Sequence, residues 1–259
     1  VRHAKGVTLT PYGEVLYRNA RLMRNQARVT REELKALSSG VAGHLRIGIG
    51  PSFSARIVPL AISEMVKSFP DVTFDVIEGT YDQLLHMLEG QDIDAAFSLF
   101  PLGEVDTAFS YQTLFESPYQ FVFSANHPLA GRTRIDVASL GQENWALFSR
   151  PKSLITHFNR FFTEAGAPVP HISVTTDSML ALIRLLTGGQ FVSILTWELV
   201  AEECGTGLLR AVDTSPKMPT ASSGVITRTK TTALPALEKL VGCIKAQCGW
   251  TILQNRSRL

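Results

Sequence analysis

Two hydroxyl side chains follow a short apolar strand near residue 50, and their spacing suggests a binding site. Apolar residues alternate with polar or small ones over 45–49, which predicts a strand. A Gly-Pro pair interrupts this pattern, Ser52 and Ser54 follow, and a helical period begins after them. Helix N-termini favour anions, and open α/β sheets bind ligands at the carboxyl ends of their strands. The stretch therefore predicts an anion-friendly loop at the edge of a sheet.

The sequence contains no recognisable motif for catalysis, metal binding or cofactor binding. It contains no Gly-x-Ser-x-Gly string, no phosphate-binding Walker loop and no paired carboxylates on one helix face. The three cysteines, Cys204, Cys243 and Cys248, fit neither a disulfide framework nor a zinc pattern, and the six histidines are scattered. We therefore expect no enzyme, no metal and no cofactor, and we expect ordinary thiols in a reducing cytoplasm.

The composition is that of a folded protein. The chain has 259 residues, of which 45% are hydrophobic and 19% are charged, enough for a real core and more than one domain. No apolar run approaches the roughly 20 residues that span a bilayer, and no signal peptide is visible. We expect a soluble, cytoplasmic protein with no membrane partner. Because Val1 is not a start methionine, the sequence also suggests a fragment.

The first 40 residues are basic. They hold eight Lys or Arg against three Glu, a charge of +5, which leaves −3 on the remainder of a chain whose total is +2. A basic segment on a mildly acidic body indicates that this segment alone lies near a polyanion. On charge alone, a solvated helix face is the simpler interpretation.

The same segment predicts a long helix. Thr10 can cap its start, Pro11 suits its first turn, and Gly40 follows its end. Small or apolar residues recur at alternating steps of four and three, a seam typical of a helix that pairs with a second helix. The seam consists of Leu16, Ala20, Met23, Ala27, Thr30, Leu34 and Leu37. We predict a dimerisation helix of about 28 residues and about 42 Å. The alternative is an amphipathic helix that lies on its own domain.

Residues 44–250 predict alternating strands and helices. This order is typical of parallel sheets with right-handed crossovers. The predicted strands lie near 45–49, 72–76, 93–97, 120–124, 145–148, 172–174, 192–195 and 224–227, and the predicted helices near 57–69, 84–88, 154–162, 178–186 and 234–246. The pattern therefore indicates two successive α/β units, with the chain returning to the first unit at its end.

Two short strings resemble those of a known family. Leu9-Thr10-Pro11-Tyr12-Gly13 resembles the junction between the DNA-binding wing and the linker helix of LysR-type transcriptional regulators, which commonly read Leu-Thr-x-x-Gly there. The string His127-Pro-Leu-Ala resembles the usual family sequence at the first crossing between the two lobes of the effector domain. The resemblance covers essentially the whole chain, but the helix-turn-helix that should come first is absent.

The resemblance implies an α/β protein with a long N-terminal linker helix and two Rossmann-like lobes of the type 2 periplasmic-binding-protein fold. It divides the chain into the wing end and linker helix (1–43), lobe I (44–123 plus 222–250), lobe II (124–221) and a tail (251–259). The implied partners are a small-molecule effector between the lobes, DNA through an N-terminal domain absent here, and further copies of the chain in a dimer or tetramer.

The cleft between the lobes should be lined by loops at the carboxyl ends of strands. By resemblance, Ser52, Ser149 and Thr176 lie near the family's effector contacts. A serine before a helix can equally be only an N-cap, and a phenylalanine in such a loop is as often core as pocket wall. The full predicted set is Ser52, Phe53, Ser54, Ser98, Phe100, Phe148, Ser149, Arg150, Thr176, Ser178, Phe191 and Thr196.

Three of these positions depart from the family pattern. Phe191 replaces the second glycine of a usual Gly-x-Gly, Thr196 replaces a usual proline, and Phe53 stands where polar residues are common. These departures predict an effector with an apolar or aromatic part as well as an anionic group.

Two other functions fit the same fold. A solute-binding protein of a transporter would have two such lobes, but a basic coiled-coil arm has no role there. An enzyme would need residues positioned for acid–base or cofactor chemistry, and we identify none in the sequence. A ligand-sensing transcription regulator therefore explains the most features.

Overall fold

The computed structural model describes the backbone of residues 2–3, 6–7, 9–39, 41–101, 105–132, 135–150, 152–229 and 234–256. The α-helices are α1 (Pro11–Ser39), α2 (Pro51–Ser54), α3 (Ile57–Ser68), α4 (Tyr81–Glu89), α5 (Lys152–Glu164), α6 (Met179–Thr187), α7 (Ala201–Gly205) and α8 (Pro235–Arg256). The strands are β1 (Arg2–His3), β2 (Gly6–Val7), β3 (Gly43–Ile49), β4 (Val72–Glu78), β5 (Ala95–Leu99), β6 (Phe109–Ser124), β7 (Ile135–Asp136), β8 (Trp145–Phe148), β9 (Ile172–Thr176), β10 (Val192–Thr196), β11 (Leu209–Val212), β12 (Thr214–Ser215) and β13 (Thr220–Arg228).

The arm begins with a two-strand hairpin and continues as the long helix. β1 pairs with β2 in antiparallel orientation. The Thr10 hydroxyl then accepts a hydrogen bond from the N–H of Gly13 at 3.1 Å, so it caps α1 as predicted. The helix runs for 29 residues, close to the predicted length.

Lobe I is built on the predicted parallel strands. β3 lies between β4 and β5 and is parallel to both. The helices α3 and α8 cover one face of this sheet, where Met65, Leu240 and Ile244 are buried. β13 extends the sheet as an antiparallel neighbour of β5. α8 runs to Arg256 and therefore includes much of the segment that we predicted to be a separate tail.

One long strand connects the lobes. The first part of β6, up to Pro118, pairs with β13 of lobe I. From Tyr119 onward β6 pairs with β10 and β11 of lobe II. Tyr119 and Phe121–Phe123 belong to the lobe II core. The crossing thus falls at 118–119, rather than at the predicted 123–124.

Lobe II repeats the α/β plan. β8 lies between β9 and β10 and is parallel to both. Its core is rich in aromatic rings: Trp145 lies 4.7 Å from Phe158, measured between ring centroids, and 5.6 Å from both Phe121 and Phe162. These buried rings make lobe II a hydrophobic unit of its own.

Candidate functional site

The carboxyl ends of β3 and β5 bring two serines together in lobe I. The N–H of Gly50 donates to the carbonyl oxygen of Phe97 at 2.8 Å, so the loop after β3 stays close to β5. A Cβ on residue 50 would lie 2.9 Å from Ser98 Oγ, so a larger residue there would require the Ser98 side chain to move. α2 begins directly after Gly50 and places Ser52 beside Ser98 at the sheet edge.

An inner cavity of about 80 Å³ lies between the two lobes. Lobe I contributes the loop after β3, the start of α4 and the end of β5, and lobe II contributes the ends of β8 and β10. The lining residues are Pro51, Ser52, Thr80, Tyr81, Ser98, Leu99, Tyr119, Phe148, Arg150, Leu154, Asp177, Ile194, Leu195 and Leu199. The walls are mainly apolar, with a few hydroxyls, one carboxylate and one guanidinium.

Ser52 is the polar residue whose bonding state points most directly to a ligand. Its side chain is buried, with 3% of the residue exposed, and its hydroxyl has no hydrogen-bond partner within the described part of the protein. Ser98, by contrast, donates to the carbonyl oxygen of Leu99 at 3.3 Å. A buried hydroxyl without a partner costs free energy, so a ligand that bonded to Ser52 would recover it.

Two tyrosines, Tyr81 and Tyr119, also line the cavity. The hydroxyl of Tyr81 lies 2.8 Å from that of Tyr111, which is not a lining residue. Burial, together with this hydrogen bond, raises the pKa of Tyr81 above its ordinary value. Burial raises the pKa of Tyr119 to about 12. Both phenols therefore stay neutral and able to donate a hydrogen bond at neutral pH.

Arg150 is the cation of this cavity. It follows β8 in lobe II, and its Nη1 lies 3.9 Å from Oδ2 of Asp82 on α4 in lobe I. Both side chains are more than half exposed, so the pair is a weak link across the mouth of the cleft. An anionic ligand could therefore take the place of Asp82 without breaking a buried interaction.

An outer cleft of about 580 Å³ adjoins the inner cavity. Pro51, Thr80, Asp177 and Leu199 line both spaces. The charged residues that line the outer cleft are Glu78, Asp177, Glu198, Glu202 and Glu203, with Arg56 as the one cation among them. The outer cleft is therefore acidic, and only the inner cavity presents a cation beside buried hydroxyls.

Six of the predicted residues line one of these two spaces. Ser52, Ser98, Phe148 and Arg150 line the inner cavity. Ser54 and Ser178 line the outer cleft. Ser178 also caps α6 by accepting from the N–H of Ala181 at 3.3 Å, so its role as an N-cap is observed, and its contact with an effector stays a prediction.

The other predicted phenylalanines pack away from the cavity. Phe53 is fully buried against Phe97 and Phe115, because the short turn of α2 directs it into the lobe I core. Phe100 packs edge-on against Tyr111. Phe191 is partly buried against the lobe II core. These three rings line neither space in the structure, which agrees with the alternative that such rings belong to the core, and the apolar wall comes from other residues.

The remaining predicted residues serve the local structure. The N–H of Ser149 donates to the carbonyl oxygen of Thr176 at 2.8 Å, and the Thr176 hydroxyl accepts from the N–H of Ser178 at 3.1 Å. These bonds hold the ends of β8 and β9 together. Thr196 is buried with 1% exposure, and its hydroxyl has no partner within the described residues, but it does not line the inner cavity.

Several lining residues could not be identified from the sequence. Tyr81 and Tyr119 reach the cavity only because α4 and the strand crossing bring them there. Asp177 precedes the cap of α6, a position at which acidic residues are common for local reasons. Only the order of strands in the folded sheet reveals these residues.

The seam of α1 faces away from the body. Leu16 and Met23 are 71% and 73% exposed, and Ala20, Ala27, Thr30 and Leu34 are exposed as well. The side chain of Leu37 lies outside the described residues. The predicted seam is thus available to a partner helix, and a different face of α1 contacts lobe I.

A cluster of polar side chains holds the inward face of α1 against lobe I. We call this cluster the arm clamp, and it consists of Asn25, Arg28, Arg46 and Asp94. Asp94, 1% exposed, accepts from Arg28 and, at 2.9 Å, from both the guanidinium and the backbone N–H of Arg46. The Asn25 side-chain oxygen accepts from Arg46 at 2.6 Å and from Arg28 at 3.1 Å. The clamp therefore joins α1 to the amino-terminal ends of β3 and β5.

The two lobes, the cleft between them and the helical arm define a class of ligand-binding α/β protein, and the comparisons with known proteins agree. A family described as "LysR substrate binding domain" matches residues 38–249. The chain belongs to this family, and it contains the effector-binding domain of a LysR-type transcriptional regulator.

Individual relatives agree with this assignment. The SDS degradation transcriptional activation protein of Pseudomonas sp. (strain ATCC 19151) is 27% identical over 252 residues, which cover 94% of this chain and 79% of that protein. The transcriptional dual regulator GltC of Bacillus subtilis (strain 168) is 26% identical over 206 residues, covering 78% of this chain and 66% of GltC. The effector binding domain of QuiR in complex with shikimate shares the fold, with a TM-score of 0.66 and 18% identity over 80% of this chain and 97% of that domain.

The relatives are transcriptional regulators rather than enzymes, and the transporter alternative is not favoured. Among the described residues, no helix has the length and apolar character that crossing a membrane requires. The described part of the chain also contains no group of three His, Cys, Asp or Glu side chains arranged to hold a metal ion.

Proposed function

We propose that this chain senses a small, partly apolar anion in the inner cavity between its lobes. The observation that carries the proposal is the buried hydroxyl of Ser52, which has no partner within the described residues and lines a cavity walled by both lobes. Arg150 supplies the positive charge, and Phe148, Leu154 and Ile194 supply apolar wall. A cleft that closes on its ligand would change the angle between the lobes, which is how such a domain passes on a signal.

The acidic outer cleft limits where the anionic group can bind. The carboxylates of Glu78, Glu202 and Glu203 repel an anion that stays near the surface. The charged group must therefore enter first and reach Arg150, while a neutral part remains toward the outer cleft. Asp177 lines both spaces, so a ligand with a single negative charge fits better than one with several.

Isothermal titration with matched ligand pairs tests this proposal. Each pair consists of a carboxylate or sulfate with an apolar tail and its neutral amide or alcohol analogue. The relative named for SDS degradation makes an alkyl sulfate a sensible member of the panel. We expect only the anions to bind the unaltered chain, and we expect Arg150→Gln to remove this preference. Binding of the neutral analogues alone would contradict the proposal.

We further propose that the seam of α1 pairs with the seam of a second copy. Leu16 and Met23 are large, exposed and on the outward face, and such residues are rarely left uncovered in a row. In such a dimer, the helix-turn-helix domain that is typical of LysR-type regulators would make the contact with DNA. In that arrangement the protein acts in the cytoplasm, and the chain itself catalyses no reaction.

Sedimentation analysis tests the pairing. The double variant Leu16→Glu/Met23→Glu places four carboxylates in a paired seam, so we expect a dimer to become a monomer with unchanged helical content. Arg18→Glu/Arg24→Glu is the control, because both residues are on α1 outside the seam. Equal dissociation in both double variants would show that charge, not the seam, sets the oligomeric state.

A further inference from the structure

A second polar space lies between the arm and lobe I and shares no lining residue with the inner cavity or the outer cleft. We call it the arginine crevice, with a volume of about 380 Å³, near the lower end of the range for ligand pockets. Its charged wall consists of Arg21, Arg24, Arg28 and Arg31 from α1 and Arg46 from β3. Among the described residues that line it, none carries a carboxylate.

The nearby acids neutralise only part of this charge. Asp92 pairs with Arg21, and Asp94 pairs with both Arg28 and Arg46. Five guanidinium groups against two carboxylates leave a formal excess of three positive charges. One of these charges belongs to Arg28 and Arg46, which share Asp94. The other two belong to Arg24 and Arg31, which are exposed and have no hydrogen bond or ion pair with the described residues.

Arg46 provides a second sign of a missing acceptor. Its Nε is buried and has no hydrogen-bond partner among the described residues, although its Nη2 is bonded to Asn25 and Asp94. A guanidinium presents several N–H donors in a fixed plane, and a phosphate oxygen accepts from more than one of them. The neighbouring cation Arg228 has a pKa lowered mainly by burial, and the charges of Arg46 and Arg28 lower it further.

The inner wall of the crevice is held in place before any ligand binds, whereas Arg24 and Arg31 lie at its exposed rim. Asn25 donates to the side-chain oxygen of Gln91 at 2.8 Å, and Gln91 keeps a positive φ of 59° at the end of α4. The arm clamp holds Arg28 and Arg46 in place by their bonds to Asp94. Fixed donors lose little conformational freedom on binding, which favours a small, compact anion.

We propose that the arginine crevice binds a small, multivalent oxyanion of the phosphate class, independently of the effector cleft. Arg24 and Arg31 from α1 and Arg46 from lobe I contact it from two sides. The bound anion then bridges the arm and lobe I and lowers the repulsion among the arginines.

The test uses the whole 259-residue chain and pyrophosphate as the probe. Calorimetric titration is run in chloride buffer at constant ionic strength, first with the unaltered chain and then with Arg24→Gln/Arg31→Gln. This variant should fold, because neither side chain makes a hydrogen bond or ion pair with the described residues, and circular dichroism checks that it does. Arg18→Gln/Arg132→Gln removes the same charge from exposed positions outside the crevice and is the matched control.

We expect saturable binding of one pyrophosphate per chain, weakened at least tenfold in the crevice variant and less than twofold in the control. Ser52→Ala should leave pyrophosphate binding unchanged, which separates this site from the effector cleft. Equal weakening in both double variants, or no binding above the chloride baseline, would overturn the proposal. So would a result in which the crevice variant weakens only DNA binding or only self-association, because the crevice would then serve a macromolecule.

Discussion

The sheet of lobe I has a buried carboxylate near one end and a buried hydroxyl near the other, and these two groups are bonded differently. At the amino-terminal ends of β3 and β5, the carboxylate of Asp94 is bonded on both oxygens within the chain. At the carboxyl-terminal ends, the hydroxyl of Ser52 is equally buried but has no partner within the described residues. A structural site satisfies its polar groups internally, whereas a binding site leaves some of them for the ligand. On this comparison, Asp94 stabilises the fold, and the Ser52 hydroxyl supports our proposal that the inner cavity binds a ligand.

The largest expected effect is the loss of folding stability when the arm clamp is disrupted. Asp94→Ala leaves Arg28 and Arg46 partly buried without their common counter-charge, so we expect the free energy of unfolding to fall by about 3–5 kcal/mol. Urea denaturation followed by circular dichroism measures this change. Asp92→Ala is the control: Asp92 pairs with Arg21 at the surface, and such pairs contribute about 0–1 kcal/mol. If both variants lost the same stability, the clamp would not be the structural end of the sheet.

The next largest expected effect is a dependence of folding stability on pH, which arises from Tyr119 in the cavity wall. Burial raises the pKa of Tyr119 in the folded protein to about 12, above its ordinary value of 10.0. Between these two values the unfolded chain loses this proton while the folded chain keeps it. Stability from this residue is therefore complete below pH 10 and falls by about 1.4 kcal/mol per pH unit as the pH rises toward 12.

Thermal unfolding at a series of alkaline pH values checks this prediction. Tyr119→Phe should make the decline between pH 10 and pH 12 less steep by about this amount, while the contribution of Tyr81, whose pKa is also raised, remains. Tyr12→Phe is the matched control, since the Tyr12 ring is 88% exposed on α1. An identical decline in all three proteins would mean that Tyr119 ionises as readily in the folded chain as in the unfolded one.

Much of the fold could be predicted because it depends on local patterns. The order β3, α3, β4, α4, β5 follows from alternating and helical periods within each segment, and the cap at Thr10 follows from residue type. β6 could not be predicted at its full length. Its first half carries polar residues and Pro118, and it is a strand because it pairs with β13, about 100 residues further along the chain.

The site was predictable where the fold alone places a residue at a strand end. Ser52, Ser98, Phe148 and Arg150 directly follow or end strands, and they line the cavity. Phe53 was assigned to the cavity by the same rule, but the turn of α2 points it inward onto Phe97 and Phe115. Side-chain direction within a four-residue helix depends on packing partners that no local pattern identifies.

A smaller effect separates a functional hydroxyl from a merely buried one. Ser52 and Ser193 both have buried hydroxyls without a partner among the described residues, but only Ser52 lines the inner cavity. Replacing either with alanine removes an unpaired polar group, so we expect stability to stay level or to rise by up to about 1 kcal/mol. Only Ser52→Ala should weaken binding of the anion found in the ligand panel, by roughly tenfold for one lost hydrogen bond. Equal affinities in the two variants would remove Ser52 from the site.

The smallest effect concerns the ion pair across the cleft. Arg150 lines the cavity and also pairs with Asp82, so an anionic ligand competes with Asp82 for the same guanidinium. Asp82→Asn frees Arg150, and because the pair is exposed, stability should change by no more than about 1 kcal/mol. Anion affinity should rise by less than tenfold and should depend more on salt than in the unaltered chain, because salt no longer also weakens a competing Asp82–Arg150 pair. Glu89→Gln removes a similar exposed charge from α4 away from both spaces and should leave affinity unchanged. A fall in affinity for Asp82→Asn would mean that the pair positions Arg150 for the ligand, and the carboxylate would then belong to the functional end of the sheet.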